Sequence, residues 1–531
     1  MRMNFKKSLA VSCFCFLSLP LVNACDTGPK PGEEADYYGK KLFADAPLKE
    51  KEAAINALTE LKDKKALPHL YQVIDTGSVM LRPKAVKLIS SLGDKDSVPH
   101  LLKAIDYKAR GKGKKEKKAM LANERIATAL GRHASGDDKK VVNALARLTT
   151  NSNINTRLAA VTSLGKIKAG SAIDDLIEIA TNDSNNFIVK NAVIALGEIA
   201  DPKAIPALVK LMFFERTGVS FYREASYALF IIGKPAVQPL FDLYDGKVKE
   251  IDDMHIAEGV RKAKALQCLM DIGGEKRIWD LALKAASVPK SDRPNALARV
   301  FGQEALGRMG DVRVIKYLLP HWDDTDTSNA ETPLNAMVRL GQKKYAKPLL
   351  NITTFSGFVK QCTKVEGKEK KAACEKAAGK LRAPRVDALS RIAPASMLPV
   401  WEKMIAEEQD KKLKKKLTKG LSRLKAAKAC EGKKVDCWVA ELKNENAQHR
   451  ERAAYELLWS GSDEAMPAMI EALGDPDNET RFAAILAVWR KLPKEGTKRI
   501  EEILKKERGN NQYVRINEDL KRLQIKIARG Y

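Results

Sequence analysis

Apolar residues recur along most of this chain at intervals of three and four, the spacing that places them on one face of an α-helix. The clearest stretch is Val189 to Met212, VKNAVIALGEIADPKAIPALVKLM. Ala192, Leu196 and Ile199 share one helical face, Asp201-Pro202 ends that helix, and Ile205, Leu208 and Leu211 begin the face of the next. The unit reappears elsewhere. Leu164-Gly165-Lys166-Ile167, Leu196-Gly197-Glu198-Ile199 and Leu306-Gly307-Arg308-Met309 align, with Ala160, Ala192 and Ala305 ahead of them. Similar units lie near Arg82, Arg125, Arg157, Arg223, Arg261, Arg299, Arg382, Arg452 and Arg481. Gly131, Gly165, Gly197 and Gly233 are separated by 34, 32 and 36 residues. One helical hairpin buries only one of its faces, so each must stack on its neighbours. The pattern predicts an all-α superhelical solenoid of about thirteen hairpins, about 37 residues each, over 49–531. Such an array offers a long concave wall for binding.

These residues resemble HEAT repeats, in particular the short bacterial kind first named from phycobilin lyases. The resemblance covers nearly all of the chain beyond residue 48. It implies an inter-repeat ladder, in which Arg157, Arg223, Arg452 and Arg481 correspond to the ladder arginine and Asp201, Asp311 and Asp477 to its partner. Chromophore lyases and a family of DNA-alkylation glycosylases share the repeat, so the resemblance also admits an enzyme.

Four regions depart from the period. Residues 25–48, rich in Gly, Pro and acids, read as a flexible tether. Lys108 to Lys118, KARGKGKKEKK, reads as an inserted basic loop. Residues 357–381 lengthen another turn. Residues 515–531, with Leu520, Leu523 and Ile527 on one side, read as a capping helix.

Composition narrows the class. At 531 residues the chain exceeds a single compact core, 44% of it is hydrophobic, and aromatics are only 6%, a mix that suits close-packed helices. The N-terminus reads as an address: Arg2, Lys6 and Lys7 precede the apolar run Ser8 to Val22. Leu21-Val22-Asn23-Ala24-Cys25 resembles the lipobox of bacterial lipoproteins, in which the cysteine is acylated and becomes the first residue; Asn23 departs from its usual small or aliphatic residue. The resemblance implies a signal peptide over 1–24, lipid attachment at Cys25, and a position in the cell envelope facing the periplasm. No later stretch is apolar enough to span a bilayer.

Export permits disulfides. Cys362 and Cys374 are 12 residues apart and Cys430 and Cys437 are 7 apart, each pair beside a polar connection, which predicts two local disulfides. Zinc is disfavoured, since there is no CxxC and no histidine adjacent. Cys268, in ALQCLMDI, reads as a buried free thiol. His69, His100, His133, His255, His321 and His449 stand singly in different repeats. A calcium loop counted from Asp324 has Asn329 and Asn335 where glycine and glutamate are needed, so capping by Asp326, Thr327 or Ser328 is the simpler reading. Nucleophile elbows and phosphate-binding glycine loops are absent. No cofactor or metal is expected.

Charge supplies the remaining candidate. The chain carries a formal net charge of +27, with lysines about twice as many as arginines. Lys411 to Lys428 holds nine basic and no acidic residues around the stripe Leu413, Leu417, Leu421 and Leu424. Lys411, Lys412, Lys414, Lys415 and Lys416, with Lys112, Lys114 and Lys115 of the basic insert, are the candidate contacts for an anionic partner. The alternative is a solvated helix face. Nucleic acid is not expected, because aromatics do not interleave the basic runs. The resulting expectation is a monomeric, non-catalytic scaffold that holds a protein, an anionic envelope polymer or lipid headgroups on its concave surface. A HEAT-like enzyme and a purely structural envelope protein are its rivals.

Overall fold

The computed structural model describes residues 28–76, 78–322, 327–364 and 367–530. The residues read above as a signal peptide, Cys25 and residues 323–326 of the loop read above for calcium lie outside them. The described residues are all-α apart from one antiparallel pair, Glu215–Arg216 with Val219–Ser220, joined through Thr217 and Gly218 at positive φ. The helices form a solenoid of hairpins that divides into two units, residues 1–163 and 164–531, with the division inside the helix Ile154–Lys166.

Short signals build each hairpin. Asp63, Asp94, Asp201 and Asp311 each accept a hydrogen bond from the backbone N–H two residues on. Each thereby caps a three-residue 3-10 turn that leads into the hairpin's second helix. Asp138, Asn185, Asp410 and Asn446 cap longer helices in the same way. This corrects the ladder reading of the turn acids: Asp201, Asp311 and Asp477 serve helix N-termini, where a carboxylate satisfies orphan N–H groups. Of the ladder arginines, Arg452 and Arg481 go to helix C-termini, as Arg382 also does, whereas Arg223 pairs with Glu518. Arg382 donates to the carbonyl of Thr353 at 2.7 Å, Arg452 to Ala393 at 3.0 Å and Arg481 to Leu473 at 3.0 Å. A cation there meets the negative end of the helix dipole and carbonyls with no intrahelical partner.

The repeated glycine has a packing cause. A Cβ on Gly165 would lie 2.7 Å from the Cα of Ala195, on Gly197 2.9 Å from that of Ala228, and on Gly307 2.8 Å from that of Ala336. Each motif glycine thus lets one hairpin's helix touch the backbone of the next. Gly131 does the same against Ser163, whereas Gly233, the fourth of the spaced set, ends a helix at positive φ. Gly307→Leu is expected to cost about 1–3 kcal/mol through overpacking, read as a lower urea midpoint, and a midpoint equal to the parent's would reject this packing account.

In the first unit, Glu34–Lys41 is a helix, which corrects the reading of 25–48 as a tether. Ala35 and Leu42 are buried, and His69 sits against the Cα of Gly39 while bonding Asp36 at 3.0 Å. The second half of the basic insert, from Lys114, is helical. Lys114–His133 is one helix, because Ala119, Ala122, Ile126 and Leu130 extend its buried face back toward the lysines. Only residues 108–113 remain a turn.

In the second unit, one helix of each hairpin forms an inner row. Its early members are Tyr222–Ile232, Glu258–Ile272, Ala296–Met309 and Thr327–Arg339; its late members are Ala447–Ser460, Asn478–Lys491 and Val514–Arg529. The late helices lie across the early ones. Arg529 donates to the carbonyl of Phe230 at 2.8 Å, Arg490 to that of Arg339 at 3.1 Å, and the Trp459 indole to that of Val338 at 2.8 Å. Arg223 pairs with Glu518, and Arg522 with Asp271 at 3.5 Å. The open concave wall expected from the repeat is therefore covered in this unit by its own C-terminus. Val514–Arg529 packs on the preceding helices as a cap does, and it also bridges to the hairpin begun some three hundred residues earlier.

Residues 357–381 are not a lengthened loop. Phe355–Cys362 and Lys368–Lys376 are two short helices, and Ala378–Ile392 starts inside the segment. Phe358, Cys362, Cys374, Ala378 and Leu381 give this insertion its own small core.

Candidate functional site

The helix Lys411–Ala429 begins at Asp410, whose carboxylate accepts from the N–H groups of Lys412 at 2.8 Å and Leu413 at 2.9 Å. Leu413, Leu417, Leu424 and Ala427 turn into the core, and Gly420 lets Trp401 lie against the backbone. With that face committed, the lysines must point outward. Lys411, Lys412, Lys414 and Lys415 are exposed and make no ion pair among the described residues. Lys416 differs, since it is half-buried and pairs with Asp387. It therefore anchors the helix and is not free for a partner. Lys112, Lys114 and Lys115 are exposed in the first unit.

A buried charge cluster fixes this helix from below. Glu451 receives Arg391 at 2.6 Å and Arg423 at 2.7 Å, and Arg423 also donates to the Ser390 hydroxyl at 2.9 Å. Glu451, Arg423 and Arg391 are only 2%, 4% and 9% exposed. Burial pushes the Glu451 carboxyl up, but Arg391 and Arg423 outweigh it and hold the group below the usual carboxylate range. Cys430, at the end of the helix, is bonded to Cys437, and Cys362 to Cys374. Each bond closes a short loop and in the chain-entropy account is worth up to roughly 3 kcal/mol. Cys268 is a buried free thiol whose pKa is pushed up, first by burial.

The histidines stay apart. His100 bonds Asp75 at 2.9 Å, His449 bonds Glu441 at 2.8 Å and His133 contacts the Ser90 carbonyl at 3.2 Å. Each is engaged locally.

Two concavities went unread in the sequence. In the first unit, a groove of about 540 Å³ is lined by Lys84, Lys87, Glu124, Arg125 and Arg132, with Arg125 and Arg132 turned onto the carbonyls of Pro83 and Ser90. In the second, a chamber of about 280 Å³ lies between the early and late inner helices, walled by Phe301, Phe482 and Trp489 and carrying Asp271, Arg308 and Asp519. Beside it the Lys526 amine lies 4.6 Å from the centre of the Trp489 ring, and burial pushes it down to about 8. A charged residue between Leu523 and Ile527, on the buried stripe, was the sequence signal that this helix meets something besides its neighbour.

Residues 39–112 and 121–192 match HEAT repeats, and residues 189–213 match the PBS lyase HEAT-like repeat. No curated protein matches the chain. Among solved structures, importin beta from a polyethylene glycol condition is 12% identical, with 92% of this chain and 72% of that one covered and a TM-score of 0.47. Yeast importin-beta (Kap95p) is 12% identical over 94% and 76%, with a TM-score of 0.34. The CpcE–CpcF complex of phycocyanin lyase from Nostoc sp. PCC7120 is 15% identical over 54% and 94%, with a TM-score of 0.24. The repeat matches and the helix packing together identify an all-α solenoid carrying HEAT repeats.

Proposed function

We propose that this protein is a non-catalytic scaffold, tethered in a bacterial cell envelope by a lipid on Cys25, that holds an anionic protein through the lysine face of the helix Lys411–Ala429. The observation that carries the reading is the contrast within one helix. Lys416 is spent on Asp387, while Lys411, Lys412, Lys414 and Lys415 stand exposed without a carboxylate partner among the described residues. An unneutralised cationic row on a helix held rigidly from below attracts acidic surfaces and steers their approach. The covered inner row of the second unit turns the search for a partner toward this exposed face. HEAT repeats support a protein partner, because stacked hairpins expose extended surface on a one-dimensional core.

Reversing Lys411, Lys412, Lys414 and Lys415 to glutamate is expected to abolish co-purification of the partner from crosslinked envelopes. Capture by the parent should fall steeply between 50 and 300 mM salt, as screening of exposed charges requires. An unchanged partner set after charge reversal would refute the assignment.

A further inference from the structure

We propose that the groove of the first unit is a binding site for an acidic sugar, a carboxylate carried on a hydroxylated ring. This site is separate from the lysine face of the second unit and does not rest on it. Three successive helices wall the groove: Leu48–Leu61, Arg82–Leu92 and Lys114–His133. Ile55 and Leu88, both buried, form its floor. The volume, about 540 Å³, equals the liquid volume of about eighteen waters. That holds about one or two sugar rings.

Charge calls for an anion. Lys84, Lys87, Arg125 and Arg132 line the groove against the single carboxylate of Glu124. Glu52, outside the lining, reaches Lys84 at 3.6 Å, so two positive charges remain once both acids are counted. Lys87 is exposed and has no ion pair among the described residues. Arg125 and Arg132 each use one N–H on a backbone carbonyl, of Pro83 at 2.5 Å and Ser90 at 3.1 Å. A carbonyl orients a guanidinium without neutralising it, and the rest of the planar fork matches a carboxylate. The two arginines are separated along one helix by about 10 Å, so they offer cations at two points of the groove.

The uncharged groups decide what carries the carboxylate. The hydroxyls of Thr59, Ser91 and Thr128 donate to carbonyls of their own helices, those of Ile55 at 2.8 Å, Leu88 at 2.9 Å and Glu124 at 2.9 Å. With its proton committed, each oxygen is left as an acceptor. The Glu124 carboxylate is a fourth acceptor, with no hydrogen bond and no ion pair among the described residues. Such a lining needs a ligand rich in O–H donors. A polyphosphate or a run of acidic side chains brings oxyanions with few donors and meets Glu124 as a like charge. None of the residues that line the groove is aromatic, so a nucleobase has no ring to stack on. A sugar acid satisfies the cations and the acceptors together.

The full chain is titrated calorimetrically with digalacturonate, its neutral counterpart galactobiose, tripolyphosphate and a blocked glutamylglutamate. Digalacturonate is expected to bind roughly tenfold tighter than each of the other three. Lys87→Glu and Arg132→Gln, both at exposed positions, should each weaken it roughly fivefold without lowering the melting temperature. Glu124→Gln, which removes the like charge, should narrow the advantage of digalacturonate over tripolyphosphate. Reversing Lys411, Lys412, Lys414 and Lys415 to glutamate should leave digalacturonate binding unchanged, which separates this site from the lysine face. Galactobiose, tripolyphosphate or the dipeptide bound as tightly as digalacturonate, no binding of any probe, or undiminished affinity in folded Lys87→Glu and Arg132→Gln would overturn the proposal.

Discussion

Glu451→Ala is expected to destabilise the second unit by about 3–5 kcal/mol, the cost of leaving buried charges without their counter-ion. Arg391 and Arg423 converge on that one carboxylate; Arg391 also meets the exposed Glu479, but at a longer 3.4 Å, and Arg423 has no second carboxylate among the described residues. The first transition in urea, followed by circular dichroism, should move to markedly lower denaturant. Replacing all three together, Arg391→Met, Glu451→Leu and Arg423→Met, should recover most of the loss, because desolvation offsets much of what such a cluster contributes. A single mutant as stable as the parent would show that the cluster is hydrated and not buried. The same group sets a pH dependence. Its folded pKa is depressed below the unfolded value of about 4.3. Its contribution is therefore present above that value and lost as pH falls through the folded one. Glu451→Gln should show a shallower loss of stability in acid than the parent.

Deleting residues 514–531 is the second change with a large expected effect. Leu520, Leu523 and Ile527 are buried, and each contributes about 1.5–3 kcal/mol when removed from water. The deletion also strips the Arg529 bonds to Phe230 and Ile231 and the Glu518 partner of Arg223. Hydrogen exchange should then accelerate not only in Gly496–Lys506 next door but also in Tyr222–Ile232 and Glu258–Ile272. A simple terminal cap would protect only its neighbour. Unchanged exchange at 222–232 would contradict the closure described here. Arg529→Ala with Glu518→Ala tests the same tie without removing the apolar stripe, and should accelerate exchange at 222–232 to a smaller degree.

The contrast between these two predictions tracks what could be read from residues alone. The hairpin array was legible because its signal is local: apolar spacing of 3.6, capping acids at turns, and a glycine where two helix backbones meet. Even there a role was misassigned. Asp201 and Asp311 looked like ladder acids by resemblance, yet their position directly before a short turn and a new helix was a capping signal. Closure of the second unit was not legible. It depends on a small rotation per hairpin that accumulates over many repeats, and no single segment encodes that sum. Arg490, Arg522 and Arg529 resemble a solvated face until the early helices are brought beneath them. Lys416 makes the same point at the candidate surface. Within its run it is indistinguishable from Lys415, and only Asp387, 29 residues away, separates the anchoring lysine from the exposed ones. The chamber carboxylates were invisible for a related reason, since Asp271 and Asp519 come from opposite ends of the unit.

Residue-resolved crosslinking in intact cells with mass spectrometry decides whether a protein partner sits on the lysine face of Lys411–Ala429. A partner seated there predicts that intermolecular crosslinks concentrate at Lys411, Lys412, Lys414 and Lys415, spare Lys416, and join an acidic stretch of one partner. Crosslinks that cluster on other lysines while these four react only with solvent-borne reagent would contradict it.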